Sequence, residues 1–177
     1  VVVGVGVCVV VIVSWFSCAV DQQAQEYLKI AVGSSEAQQT LEALAILVAL
    51  RLWKQSWALV RSTLEVRADN VSALTALACM RAKGYGVNLV AREMALDLSD
   101  GCYRPDICTH TPGVASSIAD GLSRRFQPGV TFVLPAALAQ VPQAHPEPVT
   151  SAWFRCRSTA VAAAAQVAQV GAAQLWQ

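Results

Sequence analysis

The longest hydrophobic rhythm in this 177-residue chain runs from Ser35 to Leu52. Leu41, Leu44, Ala45, Val48 and Leu52 recur at steps of three and four, the spacing of one buried helical face. Ser35 and Gln38 fit the capping box S-x-x-Q and set the start of that helix. Apolar residues occupy most other positions from Leu41 to Leu50, so the helix is expected at the centre of the fold. Glu42 is the only charge between Glu36 and Arg51. A carboxylate in such surroundings must face water, find a partner or bind a cation.

Elsewhere the period changes to two. From Ser62 to Ala68, Leu64, Val66 and Ala68 alternate with Glu65 and Arg67, the pattern of a half-buried strand. Asp69 stands at its carboxyl end. Asn70 can cap a following helix, Val71 to Lys83, which Gly84 closes. Asn88 to Leu98 repeats the helical rhythm through Leu89, Val90, Met94 and Leu98. Asp100 to Arg104 reads as a turn and Ile107 to His110 as a short strand. After the Pro112-Gly113 turn, Ser116 or Ser117 can cap a helix that ends around Phe126.

The two ends of the chain carry weaker patterns. Val1 to Cys18 reads as two strands, with Gly4 and Gly6 marking a bend and Val9 to Phe16 a continuous apolar run. Asp21 to Gly33 is polar and mixed, a connection or a strand edge. Past Gln127, five prolines space out a linker-like stretch, and Ala160 to Ala173 is Ala-rich. The expected organisation is a folded unit over residues 1–126 and a poorly ordered or partly helical tail over 127–177.

Composition narrows the class. Hydrophobic residues make up 55% and charged ones 14%, enough for a sizeable core. Net charge is +1, so no global basic field announces a nucleic-acid partner, although residues 51–125 carry ten basic against seven acidic side chains. The six cysteines form no C-x-x-C pair, so neither a disulfide framework nor a zinc site is expected, even with Cys102 and Cys108 near His110. Reduced thiols point to an intracellular setting. Residues 1–20 hold no charge, which raises a membrane span as one reading. The Val-rich composition and the interrupting Gly and Ser residues favour strands instead.

Chemistry concentrates in three strings: Leu41-Glu42-Ala43-Leu44-Ala45, Arg67-Ala68-Asp69-Asn70, and His110 to Arg124. The third holds His110, Pro112, Gly113, Ala119, Asp120, Leu122, Ser123 and Arg124 in the pattern H-x-P-G-x-x-x-x-x-A-D-x-L-S-R. It places Asp120 on the first or second turn of its helix, near the loop that carries His110. Lone carboxylates on separate elements suit a cage for hard divalent ions, because such ions want oxygen ligands.

Taken together, the strings resemble the ribonuclease H domain of retroelement reverse transcriptases, the gypsy-like and related retrotransposons. The resemblance covers residues 1–126. It implies an α/β fold, with a mixed five-stranded sheet flanked by helices and a truncated N-terminal strand. It implies that Glu42, Asp69 and Asp120 hold two Mg2+ or Mn2+ ions, and that His110 moves protons or helps release product. It further implies nucleic-acid contacts by Asn70 and Arg124. The implied substrate is the RNA strand of an RNA–DNA hybrid, and the implied partner is a reverse transcriptase domain upstream in the same polyprotein, with no membrane association. One departure accompanies the match. The family's first metal-binding Asp precedes a Gly-x-Gly on the first strand, and alignment with Gly4 and Gly6 would put it just before Val1. The chain as given is therefore expected to hold divalent ions weakly and cleave poorly. An inactive ribonuclease H-like remnant that binds nucleic acid or serves structure, and a small membrane-associated protein, are the alternative readings.

Overall fold

A computed structural model describes residues 14–57, 62–101, 103–111, 117–126, 129, 131–150 and 153–155. In these residues helices dominate, and two strands pair in parallel. The chain is mixed α/β. The strands expected over Val1–Val13 lie outside the described residues, and a five-stranded sheet is not among the described elements. Residues 14–20 are extended rather than helical, with an isolated parallel bridge between Trp15 and Gln143.

Helix α1 spans Gln22–Leu28. This corrects the expectation of a connection or strand edge over Asp21–Gly33. The helix was hidden because only Ala24 and Leu28, four residues apart, face inward. Asp21 caps it by accepting from the Ala24 N–H at 2.7 Å, and Lys29 closes it in the left-handed region with φ 53.

Helix α2, Ser35–Leu52, is central as expected, with every residue from Ala43 to Leu50 buried. Its cap is Ser34, not Ser35: the Ser34 hydroxyl accepts from the Ala37 N–H at 3.1 Å. The one-residue shift takes Gln38 out of the box position, and its side chain donates to Glu42 instead. A short helix α3, Lys54–Trp57, follows.

Strand β1, Ser62–Ala68, leads through Asn70 into helix α4, Val71–Cys79. The Asn70 side chain caps α4 by accepting from the Ser72 and Ala73 N–H groups. The helix stops before the expected Lys83, at left-handed Met80 (φ 53). Gly84 does not end it but starts the next helix, α5, Tyr85–Ser99. Asn88, expected to open α5, lies within it and accepts from the Ala82 N–H. Gly86 lets α5 approach α1 and α2: a Cβ there would sit 2.7 Å from the Leu28 carbonyl oxygen and 2.8 Å from Thr40 Cγ2.

Strand β2 covers Tyr103–His110, longer than the expected Ile107–His110 and taking over part of the expected turn. It pairs with β1 from Ser62↔Tyr103 to Ala68↔His110, with a slip between Thr63 and Glu65. Pro105 falls at that slip, where its missing N–H costs least. Helix α6, Ser117–Ser123, and a 3-10 turn, Arg124–Phe126, agree with the expected helix ending near Phe126.

The principal core packs α2 against α4 and α5, with Phe16, Val66, Val149 and Phe154 among its buried members. Past the expected boundary at residue 126, the chain is not a detached tail. Leu138 is buried in a second cluster with Trp15 and Leu122, while Phe154 is 1% exposed in the principal core and Trp153 packs against it. Residues 131–150 and 153–155 form a strap packed on the two clusters. The Ala-rich stretch and Trp176 lie outside the described residues.

That strap is pinned by charge. Arg51 of α2 bonds Asp97 at 2.5 Å and Glu93 at 2.7 Å, both on α5. Its guanidinium stacks 4.0 Å from the Trp153 ring and donates to the Trp153 carbonyl. Arg155 adds bonds to Asp97 and Asp100. Glu93 is fully buried, which is tolerable only because it is paired and hydrogen-bonded.

Candidate functional site

The two parallel strands end together. Ala68 is opposite His110, and the Thr111 N–H donates to the Ala68 carbonyl at 2.9 Å. Asp69 and His110 are therefore neighbours at the carboxyl edge of the pair. In open α/β sheets this edge is where ligands bind, because loops diverge there and helix N-termini face it. His110 Nε2 lies 3.1 Å from the Asp69 carbonyl oxygen. A carbonyl can only accept, so Nε2 carries the hydrogen in this contact and Nδ1 is left for other chemistry.

Helix α2 brings Glu42 to the same edge. Burial pushes the Glu42 carboxyl above its ordinary range; the Gln38 amide opposes this, the negative charge of Asp69 adds to it, and Asn70 opposes it again. Gln38 donates to Oε1 at 3.2 Å, whereas Oε2 is buried without a hydrogen-bond partner. A buried carboxylate oxygen with nothing to accept from is costly, and a cation would satisfy it. Glu42 and Asp69 thus offer oxygen donors of the kind a hard divalent ion takes.

Asp120 is engaged elsewhere. Its carboxylate pairs with Arg124 one turn later, at 3.1 Å, with both side chains more than half exposed. Among the described residues, no group of three His, Cys, Asp or Glu side chains is placed to hold one metal ion. Of the cysteines near His110, Cys102 lies outside the described residues and the Cys108 thiol donates to the Pro105 carbonyl. Arg124, expected to contact nucleic acid, is bound to Asp120 here, and Asn70 is committed to capping α4.

The structure thus sets Glu42 near Asp69 and Asn70, lays the His110 ring against the Asp69 carbonyl, and leaves Asp120 paired with Arg124 on its own helix. Sequence reasoning missed Gln38 as the residue that holds Glu42. Its signal was available: a Gln four residues before a lone Glu on one helical face makes a side-chain pair.

No protein family profile, no curated protein and no solved structure matches this chain. No helix of the described residues is long and apolar enough to cross a membrane.

Proposed function

We propose that this chain is a ribonuclease H-type domain of a retroelement polyprotein, which hydrolyses the RNA strand of RNA–DNA hybrids with divalent metal ions. The observation that carries the reading is Asp69 at the carboxyl edge of the parallel pair, with His110 against its carbonyl and its charge acting on Glu42. The full architecture would be a five-stranded mixed sheet, with β1 and β2 as its parallel members. Glu42 and Asp69 would hold Mg2+ or Mn2+, and Asp120 would join them on release from Arg124. Bound there, the ion supplies Lewis acidity at a phosphodiester. The protein's own residues do the rest. Gln38 fixes the Glu42 carboxylate by its Oε1 and leaves Oε2 free to bind. His110, steadied through Nε2, presents Nδ1 to accept or deliver a proton near the leaving oxygen. Asn70 and Arg124 would contact the nucleic-acid backbone. Discrimination for RNA rests on its 2′-hydroxyl. The natural partner is an upstream reverse transcriptase domain, and the setting is intracellular.

A second reading has its own support. The Asp120–Arg124 pair and the lack of a three-residue metal group among the described residues suit a remnant that binds nucleic acid without cutting it. One assay separates the two. A labelled RNA–DNA hybrid is incubated with Mg2+ and the chain, alone and extended upstream by an Asp-bearing first strand. The enzyme reading expects cleavage by the extended form, confined to the RNA strand and abolished by Asp69→Asn. Hybrid binding by both forms with cleavage by neither establishes the remnant. Cleavage that survives Asp69→Asn refutes the assignment of the site.

A further inference from the structure

We propose that Arg125 and the aromatic rings around it form a contact surface for single-stranded nucleic acid, separate from the edge that carries Asp69. The inference stands on its own observations and needs neither a metal ion nor cleavage. The surface belongs to the smaller cluster of the fold, where α6 and the turn Arg124–Phe126 meet the strap. Trp15, Leu122 and Leu138 form its buried base, with Ile118, Phe132 and Val141 packed against them.

Charge in this part of the chain is sparse and unbalanced. Residues 117–144 hold three charged side chains, Asp120, Arg124 and Arg125. Arg124 answers Asp120. Arg125 pairs with no acid among the described residues, and its Nη1 is buried without a hydrogen-bond partner. Its guanidinium carbon lies 5.9 Å from the centre of the Trp15 ring, 5.6 Å from Phe126 and 5.5 Å from Phe132. All three separations fall within the range of cation–π attraction. The rings hold the cation in place but supply no counter-charge and no acceptor. For folding alone this is costly, because an apolar side chain would fill the place without an unmet donor. An anion laid over the surface would answer the charge.

The surroundings say which anion. Phe126 is 50% exposed, and Val133 and Leu134, which follow Phe132 on the strap, are exposed as well. An exposed ring beside a guanidinium matches a nucleotide, which brings a flat base to stack and a phosphate to neutralise. A duplex hides its bases in its own stack, whereas an unpaired strand offers them to a protein ring. An anionic membrane suits the surface less, because the basic clusters that hold one count about 4–8 cations. The platform is also preformed. The Trp15 N–H donates to the Pro142 carbonyl, its carbonyl accepts from the Ala144 N–H, and its indole N–H donates to the Val141 carbonyl.

The test is binding of a short fluorescently labelled oligothymidylate to the full chain, read by anisotropy in EDTA over a range of salt. The parent should bind, and salt should weaken the binding. Arg125→Met should reduce the slope of log affinity against log salt by about 0.7, the share of one phosphate on a single strand. Arg125→Lys should keep the parent slope. Phe126→Ala should weaken binding about 5-fold or more, the loss of one stacked base, with the slope unchanged. Because Phe126 is half exposed, that variant spares the buried cluster and carries the test if thermal unfolding shows that Arg125→Met does not fold. Lys83→Met removes an exposed cation elsewhere and should bind as the parent does. Asp69→Asn should also bind as the parent does, so failure of the cleavage reading and failure of this surface are read apart. The proposal is overturned if the parent does not bind the strand, or if Arg125→Met and Phe126→Ala both bind as tightly as the parent. An equal loss in Lys83→Met overturns it too, as does equal binding of the matching duplex. Variant-dependent binding of phosphatidylserine vesicles without binding of the strand would overturn it in favour of a lipid surface.

Discussion

Helix α2 carries two ionic sites of opposite kind, Glu42 near its middle and Arg51 in its last turn. At Arg51, every carboxylate brought near the core has a guanidinium to answer it: Glu93 and Asp97 are bonded, and Arg155 and Trp153 close over them. At Glu42, a half-buried carboxylate faces a second acid, Asp69, and keeps one oxygen without a partner. The first arrangement holds the fold together. The second is tolerated by the fold and useful only if something else arrives. The contrast shows how the same residue types, on the same helix, separate into stability and chemistry according to whether their charges are answered internally.

The contrast breaks most severely at Arg51. Arg51→Met should remove the guanidinium that Glu93 and Asp97 bond in the core and should lower unfolding free energy by about 3–5 kcal/mol. Urea denaturation measures this, and a loss below about 1 kcal/mol would mean that the cluster is solvated like a surface pair. Next comes the strap. Phe154→Ala should cost about 3 kcal/mol, because the side chain is buried in the principal core. A neutral result in the same melts would return residues 127–155 to the status of a tail.

A smaller effect sharpens the other side of the comparison. Burial and Asp69 raise the Glu42 pKa above its unfolded value, so the folded state prefers the protonated form. The stability this gives is complete below the unfolded pKa and is lost as pH rises through the raised folded value. Glu42→Gln should therefore stabilise the metal-free protein at pH 7, by under about 1 kcal/mol given its partial exposure. The gain should vanish near about pH 4, where the parent is protonated as well. Urea melts at both pH values check this; a Gln variant less stable than the parent at pH 7 would mean that the ionised carboxylate is already satisfied. Smallest of all is the exposed Asp120–Arg124 pair. Arg124→Ala should change stability by about 0.3–0.5 kcal/mol, and a larger loss would show that α6 depends on this contact more than on the packing of Leu122.

Local chemistry was legible in the sequence, and distant partnership was not. Strand β1 could be read to the residue, because Leu64, Val66 and Ala68 alternate cleanly with charge. The burial of α2 on all sides followed from its unbroken apolar run. Helix α1 escaped because two inward residues make too faint a stripe, and Met80 stopped α4 early by taking a conformation that glycine usually supplies. The Arg51 network was invisible, since its bonds join residues 42 and 46 positions apart. At the candidate site, Glu42, Asp69 and His110 were identified from their elements, and two of those elements end side by side. Asp120 was singled out as a metal ligand and Arg124 as a nucleic-acid contact; the spacing of four that lets them grip each other received no weight.

The bridge between Trp15 and Gln143 bears on how the chain comes off the ribosome. Ser14 Oγ reaches the Pro142 carbonyl across 128 positions of sequence, and the neighbouring backbone bonds close the same long loop. Contacts of such separation form late, because closing the loop is entropically costly and its far side must first exist. During synthesis, which proceeds from the N-terminus, Trp15 waits with its backbone groups unpaired until the strap emerges. The cluster that buries Leu122 of α6 waits with it. The carboxyl edge of β1 and β2 can assemble from residues already made, so the candidate site takes shape before the strap closes over Trp15.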